Sequence, residues 1–188
     1  MCGKNTEKES LTAIGKQKNE IDKDILPLLE LINSMDEYVT LSSCSGRIAV
    51  MDMPDFGNKL ESVFIGKWHH PISFKEVLDA AKKGSRTTWL IMFPPIIHIA
   101  CRDLEAAEKL MRTANEAGFR RCGIISLRNN VVEIASLERV EVPIATHGNL
   151  VLDDNALRTI VDIANKKLER SKNKLKRLEK ALKGLIEV

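Results

Sequence analysis

The chain has 188 residues, of which 44% are hydrophobic and 29% charged, and its formal net charge is +3. This length is enough for one sizeable hydrophobic core, so we expect a single catalytic domain over residues 1–188. The sequence has no run of about 18 apolar residues, and residues 1–30 lack the apolar stretch of a secretory signal. These absences exclude an ordinary membrane protein and predict a soluble, cytoplasmic one. The four cysteines form no CxxC pair, which favours free thiols over a zinc knuckle or a disulfide framework.

Apolar spacing along the chain predicts short strands and helices of an α+β protein. Residues 1–20 are polar and weakly periodic, which indicates a disordered or helical arm. Helices are predicted over residues 22–34, 73–83 and 103–117, with Gly118 after the last of them. Strands are predicted over residues 38–41, 47–51, 61–65, 87–93, 96–101, 123–127, 131–135 and 140–144. We therefore expect a mostly antiparallel or mixed sheet packed with helices. The fold should be non-Rossmann, because no strand leads into GxGxxG.

The C-terminal segment, residues 153–188, differs from the rest of the chain. Its apolar residues alternate by steps of four and three, which predicts one long heptad-like helix. Its other faces hold most of the positive surplus, including Lys166, Lys167 and Arg170. Two interpretations stay open: a basic arm that contacts RNA phosphates, or a solvated helix packed on the body or on a partner chain. A homo-oligomer formed through this helix belongs to the second interpretation.

Three short strings carry side chains suited to chemistry. SSCSGR, residues 42–47, predicts a small polar turn whose backbone N–H groups could bind an anion. KWHHP, residues 67–71, combines Trp68, a surface for base stacking, with imidazoles. The run from residue 93 to residue 102 places His98, Ala100 and Arg102 on one strand face if the alternation is regular, with Arg102 close to the N-terminus of the next helix. Taken singly, each string also has a purely structural explanation.

Together, and in this order, these strings resemble the wybutosine-synthesizing protein 3 family of archaea and eukaryotes. The resemblance runs over residues 22–174, and the short form is similar to archaeal members. Two strings depart from those of many members: FPP at residues 93–95, which leaves no acidic group at Pro94, and the pair Arg121-Cys122. The pieces that carry the resemblance are SSCSGRI (42–48), WH (68–69), FPPIIHIACR (93–102), AGFRRCGI (117–124), EVP (141–143) and ANKK (164–167).

The resemblance implies a methyltransferase that uses S-adenosylmethionine. Its substrate would be the 7-aminocarboxypropyl-demethylwyosine intermediate at position 37 of tRNA-Phe, methylated on N-4 during wybutosine-derivative biosynthesis. Neither a metal nor a membrane is expected as a partner. The candidate bases are His69 and His98. The candidate groups for the cofactor or an anion are Ser42, Ser43, Ser45, Gly46 and Arg47. The candidate groups for the substrate or RNA are Trp68, Arg102, Arg120, Lys166, Lys167 and Arg170.

Three other functions remain open from the residues alone. The first is a non-catalytic tRNA-binding module that uses the basic C-terminal helix. The second is a metal protein built from Cys44, His69, His98 and Cys101, which these ligand types permit although their spacing gives no support. The third is a structural coiled-coil partner.

Overall fold

The computed structural model describes residues 22–54 and 61–186, and every structural statement below refers to these residues. The predicted N-terminal arm over residues 1–20 lies outside them. The described residues group into two compact units. Unit one comprises residues 22–44, 96–134 and 175–186, and unit two comprises Ser45–Pro95 and Ala135–Lys174. No helix in the described ranges is long and apolar enough to cross a membrane.

The described residues contain four helices and nine strands. The helices are α1 (Leu26–Asn33), α2 (Phe74–Ala81), α3 (Leu104–Glu116) and α4 (Asp154–Ile186). The strands are β1 (Tyr38–Cys44), β2 (Arg47–Met53), β3 (Val63–Trp68), β4 (Thr87–Phe93), β5 (Ile96–Cys101), β6 (Arg121–Ser126), β7 (Val131–Ala135), β8 (Val140–Thr146) and β9 (Asn149–Leu150).

The strands form two sheets, one in each unit. Unit one has the order β1-β5-β7-β6, and unit two has the order β3-β2-β4-β8-β9. The pair β1-β5 and the successive pairs of unit two are antiparallel. The predicted class, an α+β protein with antiparallel pairing, no Rossmann fold and a long C-terminal helix, is confirmed. The sequence did not separate the sheets: the consecutive strands β1 and β2 belong to different ones.

Unit one buries one face of its sheet. Alternation along β5 sends Ile97 and Ile99 into the core and leaves His98 and Ala100 on the opposite face. α1, α3 and the last turns of α4 supply the rest of the core, because their apolar residues recur at helical spacing. The helical residues buried there include Leu28, Leu29, Ile32, Ala107, Leu110, Ala114, Leu175, Leu178 and Leu182.

Unit two likewise covers one face of its five-stranded sheet. The even-numbered residues of β2 and β4 face a core that α2 and the first part of α4 complete. The amide side chain of Asn165 on α4 fixes the chain before α2, since it accepts the N–H of Ile72 at 2.9 Å and donates to its carbonyl at 2.7 Å. Buried residues of this core include Ile48, Val50, Val77, Ala81, Leu90, Met92, Ile144, Leu157, Val161 and Leu168.

Local capping sets the ends of the shorter helices. The carboxylate of Asp103 accepts the N–H of Ala106 at 2.8 Å, as predicted for the start of α3. Gly118 follows that helix with a φ of +100°, a conformation that side chains disfavour. α2 begins with a capping box in which Ser73 and Glu76 bond each other's backbone N–H. These signals lie within a few residues of each other, which is why the sequence predicts these helix ends well.

The structure moves several predicted boundaries. β3 covers Val63–Trp68 instead of residues 61–65, because cross-strand pairing with β2 continues as far as Trp68. The predicted polar turn over residues 42–47 shrinks to Ser45 and Gly46, since pairing extends β1 and β2 on both sides. Arg102 lies in the bend after β5 and not on the strand face that carries His98.

The long helix α4 packs on the chain's own cores. The apolar positions predicted from Leu157 to Leu182 are buried, as expected for a helix packed on the body. Lys174, one of the basic residues of this helix, is only 5% exposed. It forms an ion pair with Glu138 at 2.6 Å and donates to the hydroxyl of Ser136. The homo-oligomer through this helix stays a prediction.

Candidate active site

Four polar side chains form a row across the open face of the unit one sheet, one from each strand. The hydroxyl of Ser42 on β1 lies 2.7 Å from Nδ1 of His98 on β5. Nε2 of the same ring lies 3.1 Å from Oε2 of Glu133 on β7, and Oε1 of Glu133 lies 3.7 Å from Nε of Arg121 on β6. The β1-β5 register pairs Ser42 directly with His98, which puts both on the same face. We call these four residues the polar row.

The acceptor role of Glu133 determines which atoms donate and which accept in the other hydrogen bonds of the polar row. An ionised Glu133 can only accept, so Nε2 of His98 carries a proton and donates it. In the neutral ring Nδ1 is then the acceptor, and the Ser42 hydroxyl donates to it. Ser42 is exposed, whereas the side chains of His98 and Glu133 are 28% and 21% exposed. This arrangement can pass a proton from solvent or a ligand through Ser42 to the imidazole, with Glu133 stabilising the resulting charge.

Apolar side chains flank the polar row on the same face. Val39 on β1 pairs with Ala100 next to His98, and Val39 is 39% exposed. On β6, Ile125 is 57% exposed, and nothing lies within 4 Å of the position that a Cβ on Gly123 would take. Exposed apolar groups beside open space suit a flat heterocycle. The polar row therefore lies on a surface that can bind a flat heterocyclic ring.

Unit two places a second set of polar groups around Gly46. The Nδ1–H of His69 donates to the Gly46 carbonyl at 3.2 Å, and the Lys172 ammonium donates to the backbone carbonyl of His69. Ser45 is fully buried, and Gly46 has a φ of +88°. A side chain at Gly46 would meet Pro95 at 3.1 Å, so the close approach of two backbone segments requires glycine here.

Arg47 begins β2 directly after this glycine. Its guanidinium carbon lies 5.5 Å from the ring centre of Phe64 and 5.4 Å from that of Phe93, within the range of cation–π contacts. Its Nε is buried and has no hydrogen-bond partner among the residues that the structure describes. A second guanidinium, that of Arg139, lies 5.3 Å from the Phe93 ring and pairs with Glu141. The donor set fits a carboxylate or a phosphate, the groups that guanidinium binds best.

The chain is similar to proteins of one family over nearly its whole length. A model of the family described as Methyltransferase TYW3 matches residues 6–184. The chain belongs to this family. A relative from Archaeoglobus fulgidus is 53% identical over 95% of this chain and 92% of its own length. A relative from Pyrococcus furiosus is 45% identical over 95% and 93%. Both are named as tRNA(Phe) 7-((3-amino-3-carboxypropyl)-4-demethylwyosine(37)-N(4))-methyltransferases.

Solved structures agree with this membership of the TYW3 family. The PH1069 protein from Pyrococcus horikoshii has a TM-score of 0.90 and 43% identity, covering 95% of this chain and 94% of that one. A hypothetical protein from Aeropyrum pernix has a TM-score of 0.76 and 29% identity, covering 89% and 100%. The family resemblance drawn from the sequence motifs is confirmed, and so is the expectation of a non-Rossmann methyltransferase.

Within this TYW3 protein, the structure joins some of the predicted site residues and separates others. Ser42 meets His98, and Gly46 meets His69. Ser43 follows Ser42 in β1 and pairs with Ile97, a core residue, so it lies on the face of the sheet opposite the polar row. The sequence analysis did not single out Glu133. The signal was present, because an acidic residue interrupts the apolar strand VVEIA, but alternation alone does not name its partner.

Trp68 packs as part of a core surface. A Cβ added to Gly66 would fall 2.0 Å from the Trp68 ring, so the indole covers this glycine of its own strand. The indole also packs against the unit two core and is only partly exposed. Stacking on a substrate base, which the string KWHHP suggested, stays a prediction.

Arg102 is engaged by acidic neighbours. It lies 2.9 Å from Asp103 and 3.5 Å from Glu37, and its side chain is 59% exposed. The hydrogen bond that Arg102 donates to Asp103, together with the negative charge of Asp103, raises the pKa of Arg102. A phosphate would have to compete with both carboxylates here, so the predicted role of Arg102 in substrate binding stays a prediction.

Of the remaining predicted basic residues, Arg120, Lys166 and Arg170 are exposed, and Lys167 is half-buried. Lys167 donates to the backbone carbonyl of Arg139 at 2.8 Å, and Arg170, whose side chain is 74% exposed, lies 3.3 Å from Glu138.

The four residues of the metal alternative do not share one surface. His98 and Cys101 lie on opposite faces of β5, with His98 in the polar row and Cys101 in the unit one core. Burial, with the nearby Asp103 and Glu37, raises the pKa of the Cys101 thiol to about 11, which disfavours the thiolate that a metal needs. Within residues 22–54 and 61–186, no group of three or more histidine, cysteine or acidic side chains is arranged to hold a metal ion.

Proposed function

We propose that this protein transfers a methyl group from S-adenosylmethionine to N-4 of the 7-aminocarboxypropyl-demethylwyosine base at position 37 of tRNA-Phe. Membership of the methyltransferase family supports the reaction, and the names of its relatives supply the substrate and the atom. The observation that carries the assignment to residues is the polar row, a directional Ser42–His98–Glu133 arrangement on an open face. We also propose that the protein acts in the cytoplasm, where its tRNA substrate would be found.

The polar row removes the proton that the accepting ring nitrogen loses. When bound, S-adenosylmethionine would supply a methyl group on its sulfonium sulfur, and N-4 would bond to that carbon as the carbon–sulfur bond breaks. Ser42, which is exposed, accepts the proton leaving N-4 and passes its own to Nδ1 of His98. Glu133 then faces an imidazolium and stabilises it, while Arg121 limits the negative charge around Glu133.

His98 is a better base than His69 in this geometry. His98 has a carboxylate on one ring nitrogen and a hydroxyl on the other, which fixes its tautomer for proton transfer. Nδ1 of His69 is hydrogen-bonded to the Gly46 carbonyl, and the backbone carbonyl of His69 accepts a hydrogen bond from Lys172. We therefore assign His98 as the base and give His69 a role in positioning the segment around Gly46.

The flanking surface of the polar row positions the base. Val39, on the strand that carries Ser42, offers exposed apolar area against which a tricyclic ring can rest. Arg120, which is exposed in unit one, supplies positive charge for RNA phosphates. Lys166, which is exposed in unit two, is a separate candidate for a phosphate contact. Phosphate contacts set the position of the RNA, and the fit around the tricyclic ring sets the choice of base.

A methylation assay tests the proposal. Purified protein is mixed with S-adenosylmethionine and tRNA from cells that lack this step, and the nucleosides are analysed by mass spectrometry. We expect a gain of one methyl group confined to the tricyclic nucleoside, and at least a 100-fold lower rate with His98→Asn. Tight tRNA binding with no methyl gain and no cofactor binding would instead identify a non-catalytic tRNA-binding module.

A further inference from the structure

We propose that Arg121 on β6 recognises the carboxylate of the 3-amino-3-carboxypropyl group that the base of the proposed substrate carries at position 7. This inference rests on the proposed function, because the names of the relatives supply that group together with the accepting atom N-4. It adds a residue that determines which base is chosen, a task that the proposed function left to the general fit around the ring. The contacts that support it lie within unit one.

Arg121 lies on the open face of the unit one sheet, with the rest of the polar row. Cys122 and Ile124 pack against the unit one core, so alternation along β6 turns Arg121 to the opposite face. Its Nε lies 3.7 Å from Oε1 of Glu133, whose other oxygen, Oε2, lies 3.1 Å from the ring of His98. A single carboxylate therefore separates Arg121 from the proposed base.

The Arg121 guanidinium keeps donors available for a ligand. Its side chain is 70% exposed, and 3.7 Å is longer than a hydrogen bond, so Glu133 holds the group loosely. A guanidinium has five N–H donors in a planar fork, which matches the two oxygens of a carboxylate. Of the residues in the four described strands of this sheet, Arg121 alone is an arginine or a lysine. An anionic substituent on a base that lies over the polar row therefore finds its counter-charge at Arg121.

Open space lies beside Arg121 on the same face. Gly123 is two residues further along β6 and so shares the face of Arg121. Among the described residues, none has an atom within 4 Å of the position that a Cβ on Gly123 would take. This gap gives room for an alkyl chain whose charged end meets the guanidinium.

The length of the proposed substrate is compatible with the length of the polar row. From Ser42 on β1 to Arg121 on β6, the strand order crosses three strand spacings, about 14 Å. With N-4 beside the Ser42 hydroxyl, the fused rings cover the part of the row nearest to β1. The four carbon–carbon bonds from position 7 to the carboxylate extend by about 5 Å. Because Nε of Arg121 faces Glu133 on β7, the arginine reaches back towards the ring. The carboxylate and the guanidinium can thus meet while N-4 stays at Ser42.

Equilibrium binding of the full chain to anticodon stem-loops tests the assignment. One RNA carries the aminocarboxypropyl base at position 37. Its partner carries the same base with that carboxylate converted to the methyl ester, which removes the charge and adds only a methyl group. The test variant is Arg121→Met, which keeps an unbranched side chain without the charge. The matched control is Arg120→Met, because Arg120 is the adjacent arginine and is also exposed. A titration with S-adenosylmethionine alone covers the other α-amino carboxylate of the proposed reaction.

We expect the wild type to bind the carboxylate RNA about 10-fold more tightly than the ester RNA, and Arg121→Met to bind the two equally. Arg121→Lys should keep part of this preference, because it retains the charge but not the fork. Arg120→Met should weaken both RNAs by the same factor and keep the preference, because a phosphate contact does not depend on the base. Every variant should bind S-adenosylmethionine as the wild type does. The thermal midpoint of Arg121→Met should stay at the wild-type value, because an exposed ion pair contributes little to stability.

Equal affinities of the wild type for the two RNAs would overturn the assignment, and so would a preference that survives in Arg121→Met. A preference lost equally in Arg120→Met would also overturn it, because general positive charge and not the Arg121 fork would then recognise the carboxylate. The same holds if Arg121→Met keeps the preference and instead loses affinity for S-adenosylmethionine. These measurements do not depend on turnover. A wild type that prefers the carboxylate RNA through Arg121 but transfers no methyl group would contradict the proposed function and still support the receptor.

Discussion

Replacing Glu133 with glutamine exchanges one oxygen of the polar row for an NH₂ group and keeps its shape. The carboxylate now fixes the proton of His98 on Nε2, at 3.1 Å, and leaves Nδ1 to accept from Ser42. The glutamine NH₂ can donate to Nε2 and so favours the other tautomer, with the proton on Nδ1. Nδ1 then cannot take a proton from Ser42, and the imidazolium loses its counter-charge.

The expected fall in the methylation rate of Glu133→Gln depends on how exposed the side chains of the polar row are to water. Loss of a positioned general base costs about 10²- to 10⁴-fold in rate. The side chains of His98 and Glu133 are 28% and 21% exposed, so water can partly replace the lost interaction. We therefore expect the low end of the range: a fall in kcat of about 100-fold, which is about 2.7 kcal/mol in the activation barrier. KM for tRNA should change little, because Glu133 acts on the proton transfer through the ring of His98 in the proposed mechanism.

Single-turnover methylation at saturating cofactor and tRNA measures this rate, and its dependence on tRNA concentration gives KM. Glu179→Gln is the matched control, since Glu179 is also in unit one, has a similar exposure of 25%, and pairs with Lys183 at 2.6 Å away from the polar row. We expect the control to keep the wild-type rate. A Glu133→Gln rate within about threefold of the wild type, over the whole pH range of activity, would refute the proton-transfer role of the row.

Three further predictions concern stability and RNA binding. Lys174→Met should lower the free energy of unfolding in urea by about 3 kcal/mol, because it leaves the Glu138 carboxylate without its ammonium partner at 2.6 Å; a loss below about 1 kcal/mol would contradict this. Burial tends to raise the pKa of Asp52, but two backbone N–H groups and two hydroxyls outweigh it and lower that pKa. The free energy of unfolding of the wild type should therefore exceed that of Asp52→Asn by its full margin above pH 3.8, the ordinary pKa of this carboxyl, and the margin should shrink as the pH falls below 3.8. A margin that grows at low pH would argue against the hydrogen bonds to Asp52. Lys166→Gln should reduce the slope of log K for tRNA binding against log salt concentration by about 0.7 to 0.9. Lys83→Gln is the control. An unchanged slope in Lys166→Gln would exclude a phosphate contact at Lys166.

The sequence by itself determined the parts of this protein that depend on neighbouring residues. The steps of four and three in the C-terminal segment predicted the buried side of α4 from Leu157 to Leu182, because helical periodicity is a local property. Asp103 and Gly118 marked the ends of α3 for the same reason. The motifs that carry the family resemblance, taken in their order along the chain, predicted the reaction. That prediction does not depend on how the strands pair.

The tertiary structure decided what depends on strand register. Ser42 and His98 are 56 residues apart, and His98 and Glu133 are 35 apart, so only the order β1-β5-β7-β6 brings them into one row. Pairing across strands likewise put Arg47 between Phe64 and Phe93 and separated β1 from β2 into different sheets. Alternation tells which side of a strand a residue faces, but the residue it meets there is set by pairing between distant segments, which no local pattern in the sequence specifies.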